Sequence, residues 1–353
     1  MEMRRPVFNM SREESIALLK RSKAVHLAST REDGMPMLKT LHGVIHEGYL
    51  AFHSGPAGEK THSIGREAVI GAEEMVADIP STFSHPEKAC PATTYYKSVQ
   101  VHGKIEEITD LDAKASILQA LMERYQPSGG YVPITADHPH YKAAVKNIIV
   151  AGVSLERVQG KHKLGQHRPE KINDVLEKLW ARGDKGDPEA IDIIRKANPK
   201  VPPPDFLQGP NGVQILCSVT AEEDLATATQ MLDGTYWNQG FTKEQIRKSL
   251  LYSGICVGAR DIKTGTLIGF MRATSDWSKH AWMYDVVIAP SWQRKGIGTK
   301  LVELLLDHPS IRNTYKIHLR TRDADRFYER FGFRKILDIP TSSSPSIYMV
   351  LEK

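Results

Sequence analysis

The stretch Val286-Val287-Ile288-Ala289-Pro290-Ser291-Trp292-Gln293-Arg294-Lys295-Gly296-Ile297-Gly298-Thr299 reads as a strand, a stop, a tight turn and a helix start. Val286 to Ala289 are apolar and mostly β-branched, as a central strand requires. Pro290 cannot donate to a ladder, so the strand ends there. From Thr299 the run Leu301-Val302 and Leu304-Leu305-Leu306 has helical spacing. Gly296 and Gly298 have no Cβ and let the backbone come close to a ligand. The first N–H groups of the following helix lack internal partners. With Arg294 and Lys295 they make an anion site that suits a pyrophosphate. Two glycines alone favour an exposed basic turn, so the weight falls on the longer pattern.

That pattern, Val-x-x-Pro-x-x-Gln-Arg-x-Gly-x-Gly, resembles the acetyl-CoA loop of the GNAT acyltransferases. Ser278 to Ile288 supplies the strand before the loop, with Asp285 inside it. Arg320-Thr321-Arg322-Asp323-Ala324 follows a strand at Ile317-His318-Leu319, and Phe327 to Phe333 resembles the late GNAT helix with its Gly-Phe turn. Tyr236-Trp237-Asn238 and His308-Pro309 match one subgroup of that family. The resemblance implies that Val287, Ile288, Gln293, Arg294, Lys295, Gly296, Gly298 and Thr299 hold acetyl-CoA. Val287 and Ile288 would pair with the pantetheine amides. It also implies that Tyr328 is the general acid for the departing thiolate. A packing tyrosine beside Phe327 and Phe331 is the other reading of Tyr328. Asp285 reads as a base, an amine anchor or a polar strand residue. The aromatics of Tyr236-Trp237 and Asp276-Trp277 suit a small-molecule amine acceptor and suit core packing as well.

A length of 353 residues points to two domains. With 25% charged and 41% hydrophobic residues, the chain has an ordinary globular composition. No apolar run has membrane-spanning length, and Met-Glu-Met-Arg-Arg-Pro lacks the core of a signal peptide. The three cysteines, Cys90, Cys217 and Cys256, are scattered, which argues against a disulfide framework and fits a cytoplasmic location. The net charge of +5 is not clustered into a nucleic-acid patch. His138-Pro139-His140, His162 and His167 lack acidic partners and read as loop histidines rather than metal ligands.

Earlier in the chain, Ser11 and Glu14 form a capping box for a helix. Strands are expected at 24–30, 35–46, 48–53, 68–79, 93–108 and 147–155, with a short helix from Ala57 and an amphipathic helix at 110–125. Helices at 170–182 and 188–197 are expected to pack on this region. Antiparallel strands with few helices point to a small barrel. Arg4-Arg5, the Ser11 helix, Gly34-x-Pro36, Phe52-His53-Ser54, Gly58-x-Lys60 and Tyr96-x-Ser98-Val99-x-x-x-Gly103 follow in order, with Lys163 to Pro169 as a later element. This order resembles the FMN-binding split β-barrels related to pyridoxamine 5'-phosphate oxidase, in the nitroimidazole-resistance (Nim) branch.

The resemblance implies FMN held by Lys39, Thr40, Leu41, Ser54, Lys60, Tyr96 and Ser98, with His53 hydrogen-bonding flavin or shuttling a proton. A satisfied strand-end histidine is the alternative for His53, and surface solvation for Lys39 and Lys60. Such barrels bind FMN at a dimer interface, so a homodimer is implied, with the Tyr96–Ser98 strand contributed by the second copy. Where the oxidases carry an arginine before this strand, the chain has Met37-Leu38-Lys39, which weighs against oxidase activity itself.

The expected architecture is a two-domain chain. An antiparallel split β-barrel with flanking helices spans 1–200, a Pro/Gly-rich linker 201–212 and an α/β GNAT fold with a mixed sheet 213–353. The expected function is N-acetyl transfer from acetyl-CoA to an amine, fused to an FMN redox domain. The alternatives are a flavin-dependent reductase with an accessory GNAT domain, and a flavin- or CoA-sensing regulator.

Overall fold

The computed structural model describes residues 4–335 and 347–352. It divides into two compact units, 1–78 with 93–167 and 79–92 with 168–353.

The first unit runs β1 (Asn9–Met10), α1 (Arg12–Arg21), β2 (Val25–Thr30), β3 (Pro36–Leu41), β4 (Val44–His46), β5 (Tyr49–Ser54), β6 (Glu67–Ile79), β7 (Thr93–Lys104), β8 (Glu106–Ile108), α2 (Leu111–Tyr125), α3 (Lys142–Asn147), β9 (Ile149–Ser154) and β10 (Val158–Lys163). The strands form two sheets, in the orders β1-β10-β7-β6-β2-β3 and β4-β5-β9-β8, and every described pairing is antiparallel. The barrel is split because two expected long strands break. The run 35–46 divides at His42-Gly43, and 93–108 divides at Ile105, each passing from one sheet to the other. The first break is held by Arg124, which donates to the Gly43 carbonyl at 2.7 Å.

A core of Leu18, Leu19, Val25, Leu27, Ile70 and Val99 fills the larger sheet, while α2 covers β4 and β5 through Ile117 and Leu121. The Ser11/Glu14 capping box forms as expected, at 3.1 and 3.2 Å. The short helix expected from Ala57 is a 3-10 turn at Glu59–Ser63.

The second unit contains α4 (Ile172–Arg182), α5 (Asp187–Ala197), β11 (Val213–Leu216), α6 (Glu222–Leu232), α7 (Lys243–Tyr252), β12 (Ile255–Asp261), β13 (Leu267–Ser275), β14 (His280–Ile288), α8 (Ile297–Leu306), β15 (Lys316–Thr321), α9 (Asp325–Glu329), β16 (Arg334–Lys335) and β17 (Ile347–Glu352). Its sheet order is β11-β12-β13-β14-β15-β17-β16. Among the described pairs β14–β15 alone is parallel, so the sheet is mixed.

Helices cover both faces. Phe270 joins the cluster formed with α6 and α7, whereas a Cβ on its neighbour Gly269 would lie 3.5 Å from Ile297 of α8. Consecutive strand residues point to opposite faces.

The helices at 172–182 and 187–197 belong to this unit, which corrects the expectation that they pack on the barrel. Trp180 donates its indole N–H to Asp307 at 2.6 Å, and its ring meets His308 edge-on. Arg195 donates to the Ile215 carbonyl at 2.6 Å, and Asp192 accepts from the Ser218 amide at 2.8 Å. Their apolar faces are strongly periodic, and periodicity says that a face is buried without saying against what. Among the described residues no helix is long and apolar enough to cross a membrane.

Candidate functional site

Strands β14 and β15 lie side by side only from His280 to Trp282, paired with Lys316 to His318. Beyond that register they part. A bulge on β14 drives the parting: Phe270 faces Val287 and Arg272 faces Tyr284, so β14 carries one residue more than β13. Asp285 sits in the bulge with φ 54°, a left-handed conformation that aspartate tolerates better than a branched residue. Its carboxylate is clamped. Oδ1 accepts the Trp237 indole N–H at 2.8 Å, and Oδ2 accepts from the Arg272 guanidinium. The Asp285 side chain is 5% exposed and that of Arg272 15%, so this is a buried ion pair. Arg272 also donates to the Ser253 hydroxyl at 2.8 Å and lies 4.5 Å above the Tyr284 ring.

The parted strands frame a cavity of about 1000 Å³ in the second unit. Met283 to Val286 line it from β14, Leu319 to Thr321 from β15, and Tyr328 from α9. Tyr328 is buried, and its ring packs edge-on against Phe327 and Phe333 at 5.1 and 5.9 Å. Burial, and then the nearby Tyr236, push its phenol well above the ordinary tyrosine range, so it keeps its proton at neutral pH.

The segment Tyr236–Asn238 closes one side. Trp237 is tied to Asp285, and the Tyr236 ring carries the Arg322 guanidinium 3.8 Å above it.

The predicted loop residues follow β14. Pro290–Trp292 forms a 3-10 turn, and the Gln293 amide donates to the Ile288 carbonyl at 3.1 Å. Arg294 and Gly296 take φ of 59° and 82°, and Gly296 caps α8. The Lys295 ammonium lies 4.5 Å over the Trp292 ring. Thr299 falls in the first turn of α8. A Cβ on Gly298 would stand 3.7 Å from Phe327 and 4.0 Å from Ile288, so the loop meets the helix that carries Tyr328. Residues 293–299 do not line the 1000 Å³ cavity; they stand beyond its Val286 end.

Ala289 donates its amide to the Ile268 carbonyl at 2.8 Å. By the two-residue alternation of an antiparallel ladder, Val287 faces β13 and Ile288 turns its amide to the open edge. The expectation that both pair with a ligand narrows to Ile288.

The first unit has a smaller cavity of about 280 Å³, lined by Ala24, Thr40, Leu41, His42, His53 and Lys60. Four of these were expected from sequence; Ala24 and His42, the latter stacked on Tyr125 at 4.2 Å, were not. Lys60 donates to the His53 carbonyl at 3.1 Å. Burial lowers the His53 pKa, and the charges of Lys60 and His42 lower it further. Burial, followed by the Lys39 charge, lowers that of Lys60.

Lys39 does not line this cavity; it pairs with Glu59, which Arg31 also reaches at 3.4 Å. Ser54 is buried, close enough to Gly58 that a Cβ there would lie 2.4 Å from its hydroxyl. Tyr96 and Ser98 are on β7 beside β10, where Tyr96 carries Lys161 over its ring at 5.3 Å, away from this cavity. Among the described residues no cluster of three or more His, Cys, Asp or Glu could hold a metal ion.

Comparison with known proteins agrees with this division. Residues 11–162 match the family model of pyridoxamine 5'-phosphate oxidase, and residues 224–333 match that of the GNAT acetyltransferases. An uncharacterized N-acetyltransferase, ycf52, of Porphyra purpurea is 29% identical over 124 residues, which is 34% of this chain and 71% of the relative. Among solved structures, a candidate 5-nitroimidazole antibiotic resistance protein of Bacteroides thetaiotaomicron is 19% identical. That match covers 44% of this chain and 86% of its own, with a TM-score of 0.34. A GNAT-family acetyltransferase candidate of Xanthomonas campestris is 23% identical, covering 39% and 96%, with a TM-score of 0.33. Residues 11–162 are thus similar to the pyridoxamine 5'-phosphate oxidase family, and residues 224–333 to the GNAT acetyltransferases.

The Arg272–Asp285 pair yields a test. Asp285→Ala leaves a buried guanidinium without its partner and should destabilise the second unit by about 3–5 kcal/mol in urea unfolding. A loss below about 1 kcal/mol would show that the pair does not hold the bulge.

Proposed function

We propose that the second unit transfers an acetyl group from acetyl-CoA to the amine of a small molecule. The observation that carries this reading is the opening between β14 and β15, which leads from a buried phenol to a glycine turn at a helix N-terminus. An extended ligand can continue the sheet at the open edge, meeting the Ile288 amide, while its phosphates meet the free N–H groups of α8 with Arg294 and Lys295. The thioester would then lie near Tyr328, whose retained proton is available to the departing sulfur. Asp285 has both oxygens engaged, so we assign it to positioning β14 and Trp237 rather than to proton transfer.

In the first unit we propose an FMN site shared between two copies. The cavity within one chain, about 280 Å³, falls just below the range of about 300–1,000 Å³ that usually holds a drug-sized ligand. Tyr96 and Ser98 lie away from it, as expected if they serve the second copy. The residues suit the group. Lys60 uses one of its three donors on His53 and has two left for a phosphate, while Lys39 would have to exchange Glu59 for it. Bound flavin would supply hydride or electron transfer; His53, held low in pKa by burial, would accept or donate a hydrogen bond at its edge. This supports flavin-dependent reduction as a second activity.

Gly298 discriminates between ligand and fold. Its added Cβ meets only ordinary contacts, whereas Gly296, at φ 82°, would be strained by any side chain. Gly298→Val should therefore stay folded and weaken acetyl-CoA binding at least tenfold, about 1.4 kcal/mol by calorimetry. Unchanged affinity would remove the loop from the site.

Tyr328→Phe keeps the ring and its edge contacts while deleting the proton donor. With a turned-over amine, kcat should fall ~10²–10⁴-fold and acetyl-CoA affinity should hold. Full turnover would assign Tyr328 to packing alone.

For the first unit, light scattering should report a dimer with one FMN per chain by absorbance. A monomer with stoichiometric flavin would contradict the shared site.

A further inference from the structure

We infer that the acceptor taken by the cavity of the second unit is a neutral arylamine rather than an alkylammonium. The inference rests on the acetyl-transfer reading above and adds the class of amine.

Six aromatic side chains line the cavity: Tyr236, Trp237, Phe241, Trp282, Tyr284 and Tyr328. Phe241 is 58% exposed, Trp237 38% and Tyr284 37%, so these rings present area to the cavity rather than filling a core. Flat apolar walls of this kind favour a planar ring, which gains offset or edge-on contacts beyond simple burial.

Among the described lining residues an ammonium would find no buried carboxylate left unengaged. Among the described residues lining the cavity there is no histidine and no glutamate. Of the two aspartates, Asp285 has each oxygen occupied, one by Arg272 and one by Trp237, while Asp323 is exposed. A buried cation left without a partner carries a heavy desolvation cost. The cation–π position is already taken at two of the rings, Tyr284 by Arg272 at 4.5 Å and Tyr236 by Arg322 at 3.8 Å. Lys248, also on the wall, is turned to Glu244 at 2.9 Å, and Arg320 adds a further positive charge. Among the described lining residues the cations Lys248, Arg272 and Arg320 outnumber the carboxylates Asp285 and Asp323.

Nor do the described lining residues include an enclosed base free to strip a proton from an alkylammonium before attack. An arylamine avoids both obstacles, because its nitrogen is unprotonated at neutral pH. Its lone pair forms the new N–C bond to the thioester carbonyl as the C–S bond breaks. The sulfur takes the Tyr328 proton, and the nitrogen yields its extra proton to water, from which the phenol is restored. The products are the N-aryl acetamide and CoA thiol.

The test compares 4-methylaniline with benzylamine, isomers that differ in whether nitrogen is attached to the ring. The full-length protein is assayed for CoA release, with acetyl-CoA binding followed separately by calorimetry. We expect kcat/KM for 4-methylaniline to exceed that for benzylamine about tenfold or more at pH 7. We also expect it to stay level between pH 6 and 9, while the benzylamine rate climbs with the fraction of free amine. Benzylamine turned over as well or better overturns the inference, as does a 4-methylaniline rate that rises through this range. Absence of turnover with either isomer, by protein that binds acetyl-CoA, overturns it too and leaves the acetyl-CoA site standing. Protein that binds no acetyl-CoA overturns the underlying reading and this one with it.

Discussion

The ion pair between Arg272 and Asp285 is the constraint on which the second unit depends. A mixed sheet would otherwise run its parallel pair, β14 and β15, together along their length. Here the pairing stops after three residues, at the bulge where Asp285 adopts φ 54°. A residue held in the left-handed region persists only if its surroundings over-determine it. Arg272 and the Trp237 indole do so. The consequence is a strand edge inside a sheet with no partner strand among the described residues, which a fold tolerates only where something else completes it. The same carboxylate fixes Trp237, so one side chain shapes both the open edge and the wall opposite it.

How much of this was legible in the sequence differs by element. The strand end before Pro290, the glycine turn and the helix that follows were readable, because proline and glycine positions have a local physical meaning; the 3-10 turn at Pro290–Trp292 was not. Tyr328 was placed correctly on the late helix and packs on Phe327 as expected, with Phe333 rather than Phe331 as its second ring. Asp285 was visible as a polar residue in an apolar strand, but its partners were not. Arg272 is 13 residues away and Trp237 is 48, and only the sheet register and the covering turn bring them together. The bulge itself leaves no composition signal, since the left-handed residue is an aspartate rather than a glycine.

In the first unit, strand positions were legible from alternation, but the two sheet changes were not. Residues 35–46 and 93–108 read as continuous strands, and hydrophobic period alone cannot show that a strand switches sheets at His42-Gly43 or at Ile105. The residues that line the smaller cavity were largely foreseen. What was missed is charge pairing: Glu59, next to Lys60 in sequence, occupies Lys39 and touches Arg31. Helices α4 and α5 were foreseen as helices and misassigned to a domain, because their amphipathic pattern is silent on the partner.

The most direct test of the open strand edge is backbone hydrogen exchange of the intact protein with and without acetyl-CoA. We predict slowed exchange at the Ile288 amide and across Gly296 to Lys300, with Val287 unchanged because it already faces β13. Acetyl-CoA binding that leaves residues 286–300 unprotected, or protects a different edge, would contradict it.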